Sequence, residues 1–117
     1  MLLRQLRLKM PKQFRLSDAG DRGWFVGQFD KSVFKTDILE AAFQTNYQGE
    51  TSVAHYHKIA TEINLITAGK VQINGEIYTA GMGIIFYPNE VCQCSYLEDT
   101  TTMVIKVPGP LNDKYPI

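Results

Sequence analysis

Two histidines and one glutamate are the side chains of this sequence best suited to binding a metal ion. His55 and His57 are two residues apart, and Glu62 follows after four further residues. Imidazole nitrogen and carboxylate oxygen together suit Fe, Mn, Zn or Ni, and three protein ligands leave positions open for water or a substrate. The spacing therefore predicts an open site for one divalent transition metal ion.

These three side chains converge only if the chain around them forms two neighbouring strands. Residues i and i+2 of a strand point to the same side of a sheet, so a strand over residues 53–57 would project both imidazoles together. A break at residues 58–60 predicts a turn, and a strand over 61–67 would carry Glu62 and Asn64 on one face. Asn64 is accordingly a candidate for contact with a bound ligand, or a hydrogen-bond partner of a neighbouring strand.

The same pattern has a purely structural interpretation. A His-x-His pair on a strand also occurs as a surface pair, or as two hydrogen-bonded histidines of a core. These are, however, the only two histidines among 117 residues. Gly49 and Gly69 flank the group at offsets that fit a sharp turn at either end. Because all five residues occur together, we favour metal binding.

The rest of the chain is rich in strand signals. Asn74-Gly75 lies between two short segments of β-formers and predicts a tight hairpin with a type I′ turn. Pro88-Asn89 predicts a further turn. Apolar spacing of three and four does not persist over any long window, so we expect little helix and a sandwich or closed barrel. The predicted strands are 24–26, 38–47, 53–57, 61–67, 71–73, 76–78, 84–87, 91–96 and 101–107.

The stretch from Gly49 to Gly69 resembles the first sequence motif of the cupin superfamily, G-x5-H-x-H-x3,4-E-x6-G, at every defined position. The resemblance covers residues 24–107 and implies an all-β fold, the double-stranded β-helix or jelly-roll barrel. We therefore expect a cupin barrel domain at residues 24–117, preceded by an N-terminal segment at 1–23. The alternating residues 6–10 of that segment predict an edge strand that contacts a partner, which agrees with the homodimers that small cupins form.

The region from 81 to 96 resembles the second cupin motif, G-x5-P-x-G-x2-H-x3-N, less closely. The histidine that supplies the family's fourth metal ligand falls on Cys92. A shift of one residue, which aligns Pro88 with the motif proline, would place Gln93 there instead. We prefer Cys92, because Asn89 can form the turn for which the motif has glycine.

The resemblance thus implies a fourth ligand that is a thiolate instead of an imidazole. The alternative is that Cys92 and Cys94 are small, buried apolar residues, as free cysteines often are. The full set of predicted site residues comprises the metal ligands His55, His57, Glu62 and Cys92, and the candidate pocket residues Asn64 and Gln93.

Composition excludes several classes of function. Twelve Lys and Arg balance twelve Asp and Glu, whereas a nucleic-acid-binding domain normally has a basic excess on one face. Arg4, Arg7 and Lys9 interrupt the apolar residues at the amino terminus, which therefore match neither a signal peptide nor a membrane span. Two cysteines separated by one residue do not indicate a disulfide framework. We therefore expect a cytoplasmic protein that binds neither nucleic acid nor a membrane.

On this basis we expect a metal-binding cupin that acts on a small polar metabolite, such as a sugar or an organic acid. The metal would be a Lewis acid or an O2-binding centre. Oxygenase, isomerase and lyase reactions all occur among proteins with the first motif, so the resemblance leaves the reaction class open. One alternative is a non-catalytic ligand-binding or regulatory cupin. Another is a metal-free isomerase or epimerase-like cupin of sugar-nucleotide metabolism, which the missing fourth histidine favours and the intact first motif disfavours.

Overall fold

The computed structural model describes residues 10–109 and 112–117, and the regular secondary structure of these residues is almost entirely β-strand. Two 3-10 helices, Leu16–Asp18 and Asp21–Gly23, precede the first strand. The strands of this described part are β1 (Trp24–Val26), β2 (Glu40–Asn46), β3 (His55–Tyr56), β4 (Thr61–Ala68), β5 (Lys70–Ile73), β6 (Glu76–Thr79), β7 (Gly83–Phe86), β8 (Cys94–Tyr96), β9 (Thr100–Val107) and β10 (Tyr115–Pro116). The predicted all-β fold class is confirmed.

The strands form the two sides of a jelly-roll barrel. One side is a five-stranded antiparallel sheet in the order β1-β2-β9-β4-β7. The other side contains a three-stranded sheet, β6-β5-β8, and a two-stranded sheet, β10-β3. Single antiparallel bridges join His55 to Cys92 and Thr51 to Ser95, so β3 continues the three-stranded sheet beyond β8.

The hydrophobic core lies between these two sides. Ile66 and Phe86 from the larger sheet pack against Val71, Ile73 and Cys92 from the smaller side. Alternate residues of a strand face the same way, and every second residue of β9 is buried accordingly. Burial of about five such side chains, each contributing roughly 1.5–3 kcal/mol, provides a rigid frame for the groups beside them.

The inward-facing residues change from apolar to charged towards one end of the larger sheet. Glu40, Lys106, Glu62 and Phe86 are Cα partners on successive strands β2, β9, β4 and β7, which places them in one row. All four are buried. This charged end of the barrel is where the predicted metal ligands lie.

Most predicted strands and turns are observed, with shifted ends. The Asn74-Gly75 hairpin has positive φ at both residues, 50° and 86°, as a type I′ turn requires. Asn89 has a φ of 72°, which agrees with the predicted turn. The strands predicted at 53–57 and 91–96 are wrong in length, because regular pairing is confined to β3 and β8 and only single bridges extend it. The last strand, β10, was not predicted.

The predicted edge strand at residues 6–10 lies almost wholly outside the described residues. Met10, the one described residue of that segment, is exposed and belongs to no strand. Within the described part of the chain, no helix has both the length and the apolar character that crossing a membrane requires.

Candidate metal centre

Both histidines are oriented by backbone carbonyl groups. The Nδ1 atom of His55 lies 2.8 Å from the carbonyl oxygen of Val53. The Nδ1 atom of His57 is hydrogen-bonded to the carbonyl oxygen of Asp113, which lies on the segment leading to β10. A carbonyl can only accept, so each Nδ1 carries a hydrogen and donates it. The Nε2 atom of each ring is therefore the nitrogen available to a metal ion, an arrangement that metal-binding histidines commonly have.

Glu62 lies within hydrogen-bonding distance of His57. Its Oε1 atom is 3.1 Å from Nε2 of His57, and its Oε2 atom accepts a hydrogen bond of 3.0 Å from the Asn64 amide. Both residues project from β4 towards the barrel interior, two positions apart. Asn64, which we predicted as a candidate pocket residue, thus holds the glutamate in place.

The pKa values follow from these contacts. Burial is the largest effect on His57 and lowers its pKa, but the hydrogen bonds with Glu62 and Asp113 together outweigh it, so the pKa is raised above the ordinary value. Burial raises the pKa of Glu62, and the bonds from His57 and Asn64 outweigh it, so that pKa is lowered. Both shifts favour the charged pair, an imidazolium with a carboxylate. Burial is also the main reason that the pKa of His55 is lowered, which keeps this ring neutral.

The donor set fits a metal ion, although its members are not assembled around one position. Among residues 10–109 and 112–117, no three His, Cys, Asp or Glu side chains stand close enough together to hold an ion. Two ligand atoms bound at about 2.0–2.2 Å to one ion lie roughly 3.0–3.5 Å apart. The 3.1 Å between His57 and Glu62 falls in this range, and the ring of His55 has its centroid 5.6 Å from that of His57. Two predicted ligands are at ligand spacing, and the third lies beside them.

Cys92 lies on the same face as His55. The two residues are directly opposite each other in an antiparallel bridge, so their side chains project to the same side. Cys92 is buried, and its Sγ atom lies 3.8 Å from Sγ of Cys94. The contact with Cys94, together with burial, raises the pKa of Cys92 and keeps it a thiol, whereas the same contact lowers the pKa of Cys94 to about 7. Ligation by Cys92 stays a prediction.

Gln93 does not join the group. Its side chain is exposed, and as the residue between Cys92 and Cys94 it points away from the barrel interior. Its backbone N–H donates to the side-chain oxygen of Asn74 at 2.9 Å, which ties it to the neighbouring hairpin. The register that we preferred, with Cys92 facing inward, explains why Gln93 faces out, and the structure gives no support to Gln93 as a pocket residue.

Sequence analysis missed a buried ion pair next to this group. Nζ of Lys106 lies 3.1 Å from Oε1 of Glu40, and both side chains are less than 10% exposed. The Lys106 ammonium also lies 5.7 Å from the centre of the Trp24 ring. A signal was available: in residues 100–107 strict alternation puts Lys106 on the same face as Val104.

Comparison with known proteins identifies the fold. No protein-family model matches this chain, and no curated protein matches it in sequence. A conserved protein with a double-stranded β-helix domain from Klebsiella pneumoniae has a TM-score of 0.67 and 15% identity, over 93% of this chain and 98% of that one. A cupin-2 domain protein from Shewanella frigidimarina has a TM-score of 0.54 and 16% identity, over 62% and 72% of the two chains. The chain has the cupin fold.

An enzyme is also among the proteins that share this cupin fold. The DMSP lyase DddQ from Ruegeria pomeroyi has a TM-score of 0.64 and 17% identity, and the match covers 89% of this chain and 59% of the lyase. At these identities the likeness shows the fold alone, since cupin folds carry many different functions.

Proposed function

We propose that this cupin binds one divalent transition metal ion through His55, His57 and Glu62, with Cys92 as the candidate fourth ligand. The observation that supports this most is the pair of backbone carbonyls that hold both Nδ1 atoms, so that Nε2 is the nitrogen of each ring that can bind a metal ion. One of these Nε2 atoms faces a buried carboxylate oxygen at ligand spacing. A bound ion would take the position of the proton that His57 shares with Glu62.

We further propose that the site acts on a small polar metabolite. When bound, the metal would supply Lewis-acid or O2-binding chemistry. The chain's own residues would exclude water at the apolar end of the barrel and present charged groups at the other. If Cys92 stays a thiol, Glu40, Lys106 and Glu62 together carry one net negative charge, which a divalent ion would convert into one net positive charge. This balance favours an anionic ligand, so an organic acid is a better candidate than a neutral sugar.

Two observations favour the metal-free alternative. His57 and Glu62 already satisfy each other by a hydrogen bond, and no three-donor cluster exists among the described residues. In that case the pair would serve as an acid–base couple or as a polar contact for a captured ligand. The metal content of the folded protein distinguishes the two readings.

The homodimer is part of the proposal as well. The outer face of the larger sheet exposes Ile63 (38%), Leu65 (44%) and Ile85 (47%), and Ile63 and Ile85 are direct partners on β4 and β7. An exposed apolar patch of this kind supports a protein contact. Light scattering of the wild type and of Ile63→Lys tests it: a wild-type dimer that the charge dissociates would support the contact, and a monomeric wild type would overturn it.

The experiment that tests the metal proposal is metal loading of the purified, folded protein. The chain is stripped with a chelator, offered Fe(II), Mn(II), Zn(II) or Ni(II), desalted, and its metal content measured. We expect one ion per chain in the wild type and in Glu76→Ala, which changes an exposed glutamate of the hairpin. His57→Ala and Glu62→Ala should retain no ion. A folded wild type that takes up none of these metals would overturn the proposal.

A further inference from the structure

Asp113 is buried although it carries a carboxylate, and its surroundings explain how. It is only 2% exposed. Its Oδ1 atom accepts from the backbone N–H of Lys58 at 3.0 Å, and its Oδ2 atom accepts from those of Ile59 at 3.0 Å and Ala60 at 2.9 Å. Three consecutive N–H groups directed at one carboxylate form an anion-binding concavity of the backbone. One side chain near the carboxyl terminus thus holds the whole 58–60 turn.

That turn is the segment that connects the two sets of proposed ligands. It follows His57 directly and ends one residue before β4, the strand that carries Glu62. Without the carboxylate these N–H groups would lose their acceptor, and each buried donor without an acceptor costs about 1–3 kcal/mol. The turn would then rearrange so that its N–H groups find other partners. The Asp113 carboxylate therefore fixes the spacing between His57 and Glu62.

The backbone of Asp113 contacts the site directly. Its carbonyl oxygen accepts the hydrogen bond from Nδ1 of His57. Two residues later, β10 pairs with β3, with Tyr115 opposite Tyr56 and Pro116 opposite His55. The rings of Tyr56 and Tyr115 are 5.6 Å apart. The carboxyl-terminal segment is thus anchored by the Asp113 carboxylate and again by β10, and the carbonyl that orients His57 lies between these two anchors in the chain.

We propose that Asp113 is a positioning residue of the metal centre. The Asp113 carboxylate holds the 58–60 turn in place, and the Asp113 carbonyl then keeps Nε2 of His57 directed at the ion. The inference rests on the proposed metal site for its functional meaning. It adds that a segment more than fifty residues away in sequence is required for that site to form. Outer contacts of this kind change metal affinity by roughly 10–100-fold when they are removed.

The first test measures metal affinity. Stripped protein is titrated with Co(II), whose absorption spectrum also reports ligand geometry. Asp113→Ala should weaken Co(II) binding by roughly 10–100-fold and alter the spectrum. Asp113→Asn keeps one acceptor oxygen and should have a smaller effect. Asp18→Ala, which removes an exposed carboxylate near the amino terminus, is the matched control and should bind like the wild type.

The second test needs no metal. Nitrogen NMR of the metal-free protein reports the protonation of each imidazole nitrogen. In the wild type, above the titration of His57, the hydrogen should reside on Nδ1; in Asp113→Ala this preference should be lost. If the wild type binds no metal but its His57 preference depends on Asp113, the metal proposal fails and the positioning role stands.

The positioning role is overturned if Asp113→Ala folds, binds Co(II) with unchanged affinity and spectrum, and retains the wild-type His57 signals. If Asp113→Ala does not fold, Asp113→Asn decides. Weaker Co(II) binding and altered His57 signals in a folded Asp113→Asn protein would support the role, and wild-type values in both measurements would overturn it.

Discussion

Nε2 of His57 lies 3.1 Å from Oε1 of Glu62, and both side chains are buried at the charged end of the barrel. Because Nδ1 of the same ring donates to the Asp113 carbonyl, both ring nitrogens of His57 face acceptors. The ring satisfies both only as a cation. A proton therefore occupies the line between nitrogen and carboxylate on which the proposed metal would bind.

Metal binding should accordingly compete with protonation of His57. The pKa of His57 is raised, so the metal-free ring stays protonated to a higher pH than an ordinary histidine, and uptake must displace that proton. We expect affinity for Zn(II) to fall as the pH decreases through the His57 titration, with one proton released per ion from His57 and a second one if Cys92 binds as a thiolate. Calorimetry in two buffers of different ionisation enthalpy measures this release. Binding that is independent of pH over roughly pH 5–8 would contradict it.

The same pair should stabilise the metal-free protein within a defined pH window. Because the pKa of His57 is raised on folding, its contact with Glu62 contributes to the free energy of unfolding. This contribution is complete below the pKa of His57 in the unfolded chain, and it is lost as the pH rises through the pKa of His57 in the folded protein. The lowered pKa of Glu62 gives stability that is lost as the pH falls through its folded-state value. Glu62→Gln should remove about 1–3 kcal/mol between these limits.

Urea unfolding in the presence of a chelator measures this difference. Glu76→Gln, an exposed change, is the control and should match the wild type at every pH. A Glu62→Gln protein with wild-type stability at a pH between the folded-state pKa of Glu62 and the unfolded-state pKa of His57 would show that the contact contributes nothing.

Part of the fold and of the site can be predicted from the sequence, because it depends only on residues that are close together in the chain. His55 and His57 share a face through the period of two, and Asn74-Gly75 specifies its own turn through the positive φ angles that these residues tolerate. Such features depend on a few neighbouring residues: the Asn74-Gly75 turn is observed as predicted, and the ring centroids of His55 and His57 lie 5.6 Å apart. The direction of the Gln93 side chain could not be predicted in this way, because two motif alignments were possible and they placed different residues, Cys92 or Gln93, at the inward-facing position.

Other parts depend on contacts between distant segments. Asp113 reaches the 58–60 turn across more than fifty residues, and no local pattern distinguishes it from an exposed aspartate. The pairing of Glu40 with Lys106 depends on the register between β2 and β9. Contacts between distant residues thus complete the site, and only the folded arrangement identifies the partners.

The Glu40–Lys106 pair gives a stability prediction. Lys106→Met leaves a buried carboxylate without its partner and should cost about 3–5 kcal/mol, whereas the double change Glu40→Leu with Lys106→Met should recover most of that loss. Urea unfolding of the wild type, both single variants and the double variant measures the coupling. Additive effects of the two single changes would show that the pair is not coupled in the folded state.

The two cysteines should differ in reactivity. The contact with Cys92 lowers the pKa of Cys94 to about 7, while the pKa of Cys92 is raised. Alkylation of the metal-free protein should therefore modify Cys94 first, with a rate that levels off above about pH 7. Cys92→Ala removes this hydrogen-bond donor to Cys94 and should slow that modification at neutral pH. Mass spectrometry of the alkylated peptides follows both thiols, and equal rates would contradict this assignment.

X-ray absorption at the metal edge of the loaded protein tests the central claim most directly. The multiple-scattering signal of imidazole counts the histidines bound to the ion. We predict two imidazoles and at least one oxygen ligand in the wild type, and His55→Ala, like His57→Ala, should retain no ion. A first shell without imidazole scattering, or a folded wild type that retains no metal to measure, would contradict the metal centre proposed for His55, His57 and Glu62.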